Sequence, residues 1–195
     1  MLIWINGTFG SGKTSTAYEL KRRLKQACVY DPERFGFALM KNVPKELAKS
    51  DFQDYPLWRE ANRTLLKELA HNYNGIIIIP MTLTNKAYFE EIIGNLRDDG
   101  IEVKHFTLMA SKDTVAKRLR KRLEGRRSRA YQQMKERMRE LEDNVFATHL
   151  DTDNLSIDGV VETVAKLSGI SLLPDKRSRL RKKVDQLKIM LQEIR

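Results

Sequence analysis

Apolar residues along the chain fall into short runs, separated by stretches in which they recur every three or four positions. The runs predict strands over Leu2–Asn6, Cys28–Tyr30, Gly75–Pro80, Val103–Met109 and His149–Asp151. The periodic stretches predict helices over Lys13–Lys25, within 35–48, and over Pro56–Asn72, Lys86–Asp98 and Lys112–Leu123. Three more follow over Tyr131–Asn144, Gly159–Leu167 and Arg177–Ile194. Strands and helices alternate, so the pattern predicts an α/β fold with a five-stranded parallel sheet flanked by helices. Ser111 and Ser156 are suited to cap the helices they precede, and Pro56 suits a first helical turn.

The first strand runs directly into Gly7-Thr8-Phe9-Gly10-Ser11-Gly12-Lys13-Thr14-Ser15. The spacing G-x-x-x-x-G-K-T between a strand and a helix is the phosphate-binding P-loop pattern. Its glycines let successive N–H groups turn inward on phosphate oxygens, and the following helix adds its dipole. Lys13 is expected on the β- and γ-phosphates of ATP, and the Thr14 hydroxyl on Mg²⁺. The fold class narrows to a P-loop NTPase fold.

Two more positions bear on the chemistry. Asp31 follows the second strand, and ligands of open α/β sheets bind at the carboxyl ends of strands. It is expected to take a proton from an attacking hydroxyl or to hold Mg²⁺; a turn-capping Asp before Pro32 is the plainer alternative. The third strand ends in Pro80-Met81-Thr82, without the acid that motor ATPases and GTPases place there. That absence favours the layout of a small-molecule kinase.

The 195 residues suit one compact domain, 1–174, with a short appendage, 175–195. The single cysteine, Cys28, rules out a disulfide framework, reads as core, and suggests a reducing, cytoplasmic setting. Leu2–Ile5 is too short for a signal peptide, and the three histidines have no zinc-like spacing. The net charge is +10, of which 112–140 carries +8 and 175–195 carries +5. No RNA-binding aromatic motif or zinc finger accompanies it, so phosphates and anionic lipid are expected as partners rather than nucleic acid.

Arg118, Arg120, Arg122, Arg126 and Arg127 lie on and just beyond one predicted helix, with Gly125 as a hinge. They predict a basic lid around 112–130, with Arg118 and Arg122 on one face to neutralise the transferring phosphoryl group. Phe52, Gln53, Tyr55, Trp58 and Arg59 combine rings with an amide and a guanidinium. They are candidates to stack on and hydrogen-bond a substrate ring, or an ordinary helix start with Trp58 in the core. In the tail, Leu180, Val184, Leu187, Leu191 and Ile194 form one apolar stripe opposite Arg181, Lys182, Lys183 and Lys188. The stripe fits docking on the domain or a second subunit, and equally a lipid headgroup layer.

These residues together resemble the tunicamycin resistance protein family. The likeness is carried by Trp4-Ile-Asn-Gly-Thr-Phe-Gly-Ser-Gly-Lys-Thr14, Tyr30-Asp-Pro-Glu33, Gly36-Phe-Ala38, Asp51-Phe-Gln53 and Tyr55-Pro-Leu-Trp-Arg59. Pro80-Met-Thr82, His105-Phe-Thr-Leu-Met-Ala-Ser111 and Thr152-Asp-Asn-Leu-Ser156 extend it over nearly the whole chain. The resemblance implies a fold like that of nucleoside-type kinases and chloramphenicol phosphotransferase. It also implies resistance to tunicamycin, a uridine-containing antibiotic with an acyl chain, and peripheral membrane association through the C-terminal helix. Three activities stay open: ATP-dependent phosphorylation of the drug, ATP-dependent sequestration of it, or phosphorylation of an ordinary metabolite.

Overall fold

The computed structural model describes residues 1–121 and 128–192. Five strands form one parallel sheet: β1 (Leu2–Gly7), β2 (Ala27–Val29), β3 (Ile76–Pro80), β4 (Val103–Met109) and β5 (His149–Asp151). Their order is β2-β3-β1-β4-β5, so the strand feeding the P-loop is central. Ile3 faces Ile78 on one side and Lys104 on the other. This is the sheet the sequence predicts, with strand ends shifted by one residue.

Successive residues of β1 serve opposite layers. Leu2 and Trp4 join Ile77 and Ile79 in one core, and Ile3 and Ile5 join Ile78 in the other. Both faces being covered explains why the strands read as unbroken apolar runs. The first core packs on α3 (Pro56–Asn72) and on α4 (Lys86–Phe89) and α5 (Asn95–Asp98), joined by a π-helical turn at Glu90–Gly94. The second packs on α1 (Lys13–Arg23) and α8 (Ile157–Ser168). Each large side chain so enclosed contributes about 1.5–3 kcal/mol.

The helix expected within 35–48 instead begins earlier, as α2 (Pro32–Asn42). Asp31 caps it, accepting the Glu33 N–H at 3.0 Å, and Pro32 fits its first turn. Val43, ahead of Pro44, is extended and ends it. The remaining helices are α6 (Lys112–Lys121), α7 (Arg129–Glu140) and α9 (Arg179–Gln192). The expected ends of the 112–123 and 177–194 helices run beyond the described residues. Cys28 packs against the first core, and burial pushes its thiol pKa up, as suits a core residue.

The tail is held by charge. Arg177 donates to both Glu19 carboxylate oxygens at 2.7 Å, to Asp175 at 3.0 Å and to Asp185 at 2.6 Å. Lys182 reaches Asp158 of α8 at 2.6 Å and Asp175 at 3.0 Å. The Arg177 guanidinium, with Lys182 and Arg22, holds the Asp175 carboxyl well below the usual range. Meanwhile Leu180, Val184 and Leu187 are 76%, 46% and 51% exposed. The helix therefore lies on the domain with its apolar stripe turned outward. Ile194 and the Leu191 side chain lie outside the described residues.

Candidate functional site

The loop after β1 has a backbone that side chains would obstruct. Gly7 has φ 141°, and a Cβ there would stand 2.6 Å from Ser11 Oγ and 2.8 Å from the Leu108 carbonyl. Gly12 caps α1 at φ 102° and offers no side-chain acceptor to the first-turn N–H groups. No acidic residue stands in that turn, so the positive end of α1 is left for an anion. Thr8 and Ser11 are 2% exposed, and their hydroxyls have no hydrogen-bond partner among the described residues. Lys13 Nζ arches over the loop, donating to the Gly7 carbonyl at 2.9 Å and the Thr8 carbonyl at 3.0 Å. Thr14 and Ser15 continue on the first turn of α1. Orphaned hydroxyls, open amides and a lysine around one cradle fit a polyphosphate.

A buried polar network supports the loop from behind. Asn6 Nδ2 donates to the Leu83 carbonyl at 2.8 Å and approaches His105 Nε2 at 3.3 Å. Asn6 Oδ1 accepts the N–H groups of Gly7 and Leu83, at 2.8 and 3.0 Å. His105 Nδ1 lies 3.0 Å from the Ala147 carbonyl, which assigns the proton to Nδ1 and leaves Nε2 to accept from Asn6. Thr82 Oγ1 donates to the Gly7 carbonyl at 2.8 Å. The loop's entry is thus fixed by groups on β3, β4 and their following segments.

Burial drives the His105 pKa down to about 4. A proton on Nε2 would also face the Asn6 amide donor. The unfolded chain takes up that proton near pH 6.5, so the native state loses stability as pH falls from about 6.5 toward 4. The loss should approach about 3 kcal/mol at the bottom of that window. Thermal melts of the wild type and of His105→Gln across this range check it. The variant's midpoint should depend less on pH; parallel curves would contradict the assignment.

Asp31 projects from the carboxyl end of β2, on the same sheet edge as the P-loop. Its side chain is 11% exposed, caps α2 and lies 3.6 Å from Arg34. The capping role is therefore present.

The aromatic segment needs a correction. Trp58 is fully buried and its Nε1 donates to the Pro32 carbonyl at 3.1 Å, so no ring face is left for a ligand. Phe52 is held between Phe37 and Trp58, with ring centroids 5.5 and 5.2 Å away. The Arg59 guanidinium is engaged by Glu91 at 2.5 Å, by the Gln53 carbonyl at 2.6 Å and by the Tyr88 ring at 4.1 Å. Tyr55 accepts the Lys49 N–H at 2.7 Å. Apolar burial and ion pairing at a helix start outweighed ligand stacking here. Gln53 is the member brought to the site: its amide donates to the Thr82 carbonyl at 3.2 Å, beside the loop.

Arg118 reaches the P-loop. Its Nη1 donates to the Ser11 carbonyl and to Thr152 Oγ1, both at 3.2 Å, and its Nη2 to the Thr152 carbonyl at 2.9 Å. It ties the loop to the segment after β5, where Asp153 accepts the Ser111 N–H at 2.8 Å. Arg122, Gly125, Arg126 and Arg127 lie outside the described residues, and with them the hinge of the expected lid.

A family described as an AAA domain (AAA_33) matches residues 2–141. The solved tunicamycin resistance protein of Deinococcus radiodurans is 33% identical, with a TM-score of 0.76 over 89% of this chain and 99% of that one. This chain belongs to the tunicamycin resistance protein family. Its fold is shared more widely. A sugar kinase from Janibacter sp. HTCC2649 is 16% identical with a TM-score of 0.62, over 87% of this chain and 95% of that one. Shikimate kinase from Bacteroides thetaiotaomicron is 20% identical with a TM-score of 0.55, over 87% and 99%. No curated protein matches. Membership and geometry together make this a P-loop protein of kinase-like fold, which implies a nucleotide as ligand.

Several site residues carry no local signal. Asn6, Thr82 and His105 build one network across separations of up to 99 positions. Thr152, bonded to Arg118, and Arg137, against the Phe9 ring, also border the loop and belong to no phosphate-binding pattern.

Proposed function

We propose that this protein transfers the terminal phosphoryl group of ATP to a hydroxyl of tunicamycin or a similar nucleoside-type molecule, and so protects the cell. The carrying observation is the P-loop cradle after β1, with Asp31 after β2, two strands away, at the same carboxyl end of the sheet. The amides after Gly7 and Gly12 hold the phosphates, and Lys13 neutralises the β- and γ-phosphates. Thr14, with Asp31, would hold Mg²⁺, which would supply charge neutralisation at the phosphates. Asp31 accepts the proton as the substrate oxygen bonds to phosphorus and the bond to the β-phosphate oxygen breaks. Arg118 and Arg122 hold the charge that develops on the transferred group. Gln53, with Phe52 and Tyr55 shaping its segment, borders the substrate side. Cells expressing the chain should grow in tunicamycin, and cells expressing Lys13→Ala at equal level should not. Equal growth of both would remove nucleotide dependence from the account.

The tail adds a location to this reading. Among the described residues no helix is long and apolar enough to cross a membrane. Leu180, Val184 and Leu187 nevertheless face outward from a helix already fastened by its charged edge. We assign this stripe to the surface of anionic membranes, where an acylated drug concentrates. Basic residues near such a surface contribute about 1 kcal/mol each, screened by salt. Replacing all three by Gln should abolish the sedimentation with anionic liposomes that persists at high salt and keep Arg177 and Lys182 latched. Sedimentation retained at high salt would show that the stripe is not the contact.

A further inference from the structure

Three rings lead outward from the core of the aromatic segment. Trp58 is fully buried, Phe52 is 9% exposed, and Phe37 of α2 is 38% exposed. Their centroids step by 5.2 Å from Trp58 to Phe52 and by 5.5 Å from Phe52 to Phe37. Gly36 permits this approach of α2, since a Cβ there would stand 2.4 Å from the Phe52 ring.

The segment under Phe37 is tied to the surroundings of the P-loop twice. Gln53 donates to the Thr82 carbonyl, and Thr82 donates to the Gly7 carbonyl. Asp51 accepts from Arg137, whose guanidinium lies on the Phe9 ring. Phe37 also belongs to the helix that Asp31 caps. Six residues separate the two, about 9 Å along a helix axis. Leu47, 69% exposed, lies on the stretch after α2, where Lys49 donates to the Tyr55 hydroxyl and the Asp54 carbonyl. Large apolar side chains exposed singly mean little on a surface. Phe37 differs because it ends a ladder of rings, and that ladder rests on a segment bordering the loop.

The geometry points to Phe37 as an apolar wall for the hydrocarbon part of the acceptor: with its hydroxyl at Asp31, the acceptor lays an acyl chain against this ring. This rests on the acceptor reading given above and deepens it. The site then selects an amphipathic nucleoside over a bare one. Covering the ring edge with hydrocarbon adds affinity that the polar part of the molecule lacks. Phe37 sets specificity and takes no part in the transfer.

The test compares intact tunicamycin with the same drug stripped of its acyl chain, by titration calorimetry on the full chain with the β,γ-imido analogue of ATP bound. The wild type should bind the intact drug at least about tenfold tighter. Phe37→Gln should weaken the intact drug about 10- to 100-fold, the range of one buried apolar side chain, and the stripped drug less than about threefold. Phe37→Leu, which stays apolar, should keep most of the affinity. Phe35 is 36% exposed on the same helix but about 160° around its axis, so Phe35→Gln should match the wild type. Affinity for the ATP analogue should be the same in all, which shows that each variant is folded. Equal losses for both forms of the drug in Phe37→Gln, or no loss, would overturn the inference. So would a loss in Phe37→Leu matching that of Phe37→Gln, which would make the ring a prop for Phe52. Unchanged drug affinity with weaker sedimentation on anionic liposomes would make Phe37 a lipid contact instead, and overturn it too. A wild type that binds the ATP analogue but neither form of the drug would overturn the acceptor reading itself, and the wall with it.

Discussion

Lys13→Ala should lower ATP affinity by about 10²-fold or more while the protein keeps its melting temperature within a few degrees. The magnitude follows from charge-assisted hydrogen bonds to two phosphates, each worth roughly 1.5–3 kcal/mol. The fold should survive because Lys13 is only partly buried and the Gly7 carbonyl it leaves still accepts from Thr82 Oγ1. Equilibrium binding of ATP beside a thermal melt separates the two effects. Unchanged affinity would remove the P-loop from nucleotide binding. A collapsed melt would mean that the ammonium braces the loop.

Asp31→Asn should slow turnover by about 10²–10⁴-fold, the usual worth of a general base, with a much smaller change in ATP affinity. The substitution isolates the charge, because Asn retains an oxygen to accept the Glu33 N–H and cap α2. Asp31→Ala serves as the control, since it also loses the cap at a cost of about 1 kcal/mol. If the base matters, both variants lose turnover alike and only the alanine variant melts lower. Near-normal turnover in Asp31→Asn would leave Asp31 as a helix cap.

Local signals carried much of this protein into view. The strands are legible because both faces of the sheet are covered, so β-branched runs persist without polar interruption. The P-loop is legible because its backbone demands glycine at fixed intervals. The start of α2 was harder, since Asp31 invites a chemical reading and its capping role becomes visible only with the Glu33 bond. Trp58 beside Phe52, Tyr55 and Arg59 looks like a binding cluster until its total burial is seen. Asn6 and His105 give no sign of their pairing across 99 positions. The tail is the most instructive difference. Its apolar stripe suggested either docking or lipid, on the premise that docking uses the stripe. The helix docks through Arg177 and Lys182 instead, and that leaves the stripe exposed.

Phosphoryl transfer to the drug is the central claim, and the mass of the drug after reaction tests it most directly. Purified protein incubated with Mg²⁺-ATP and tunicamycin should yield drug heavier by one phosphoryl group, with ADP formed in equal amount. Lys13→Ala should leave the mass unchanged. Drug recovered at its original mass from a wild-type protein that binds both ATP and tunicamycin would contradict transfer and identify sequestration as the activity.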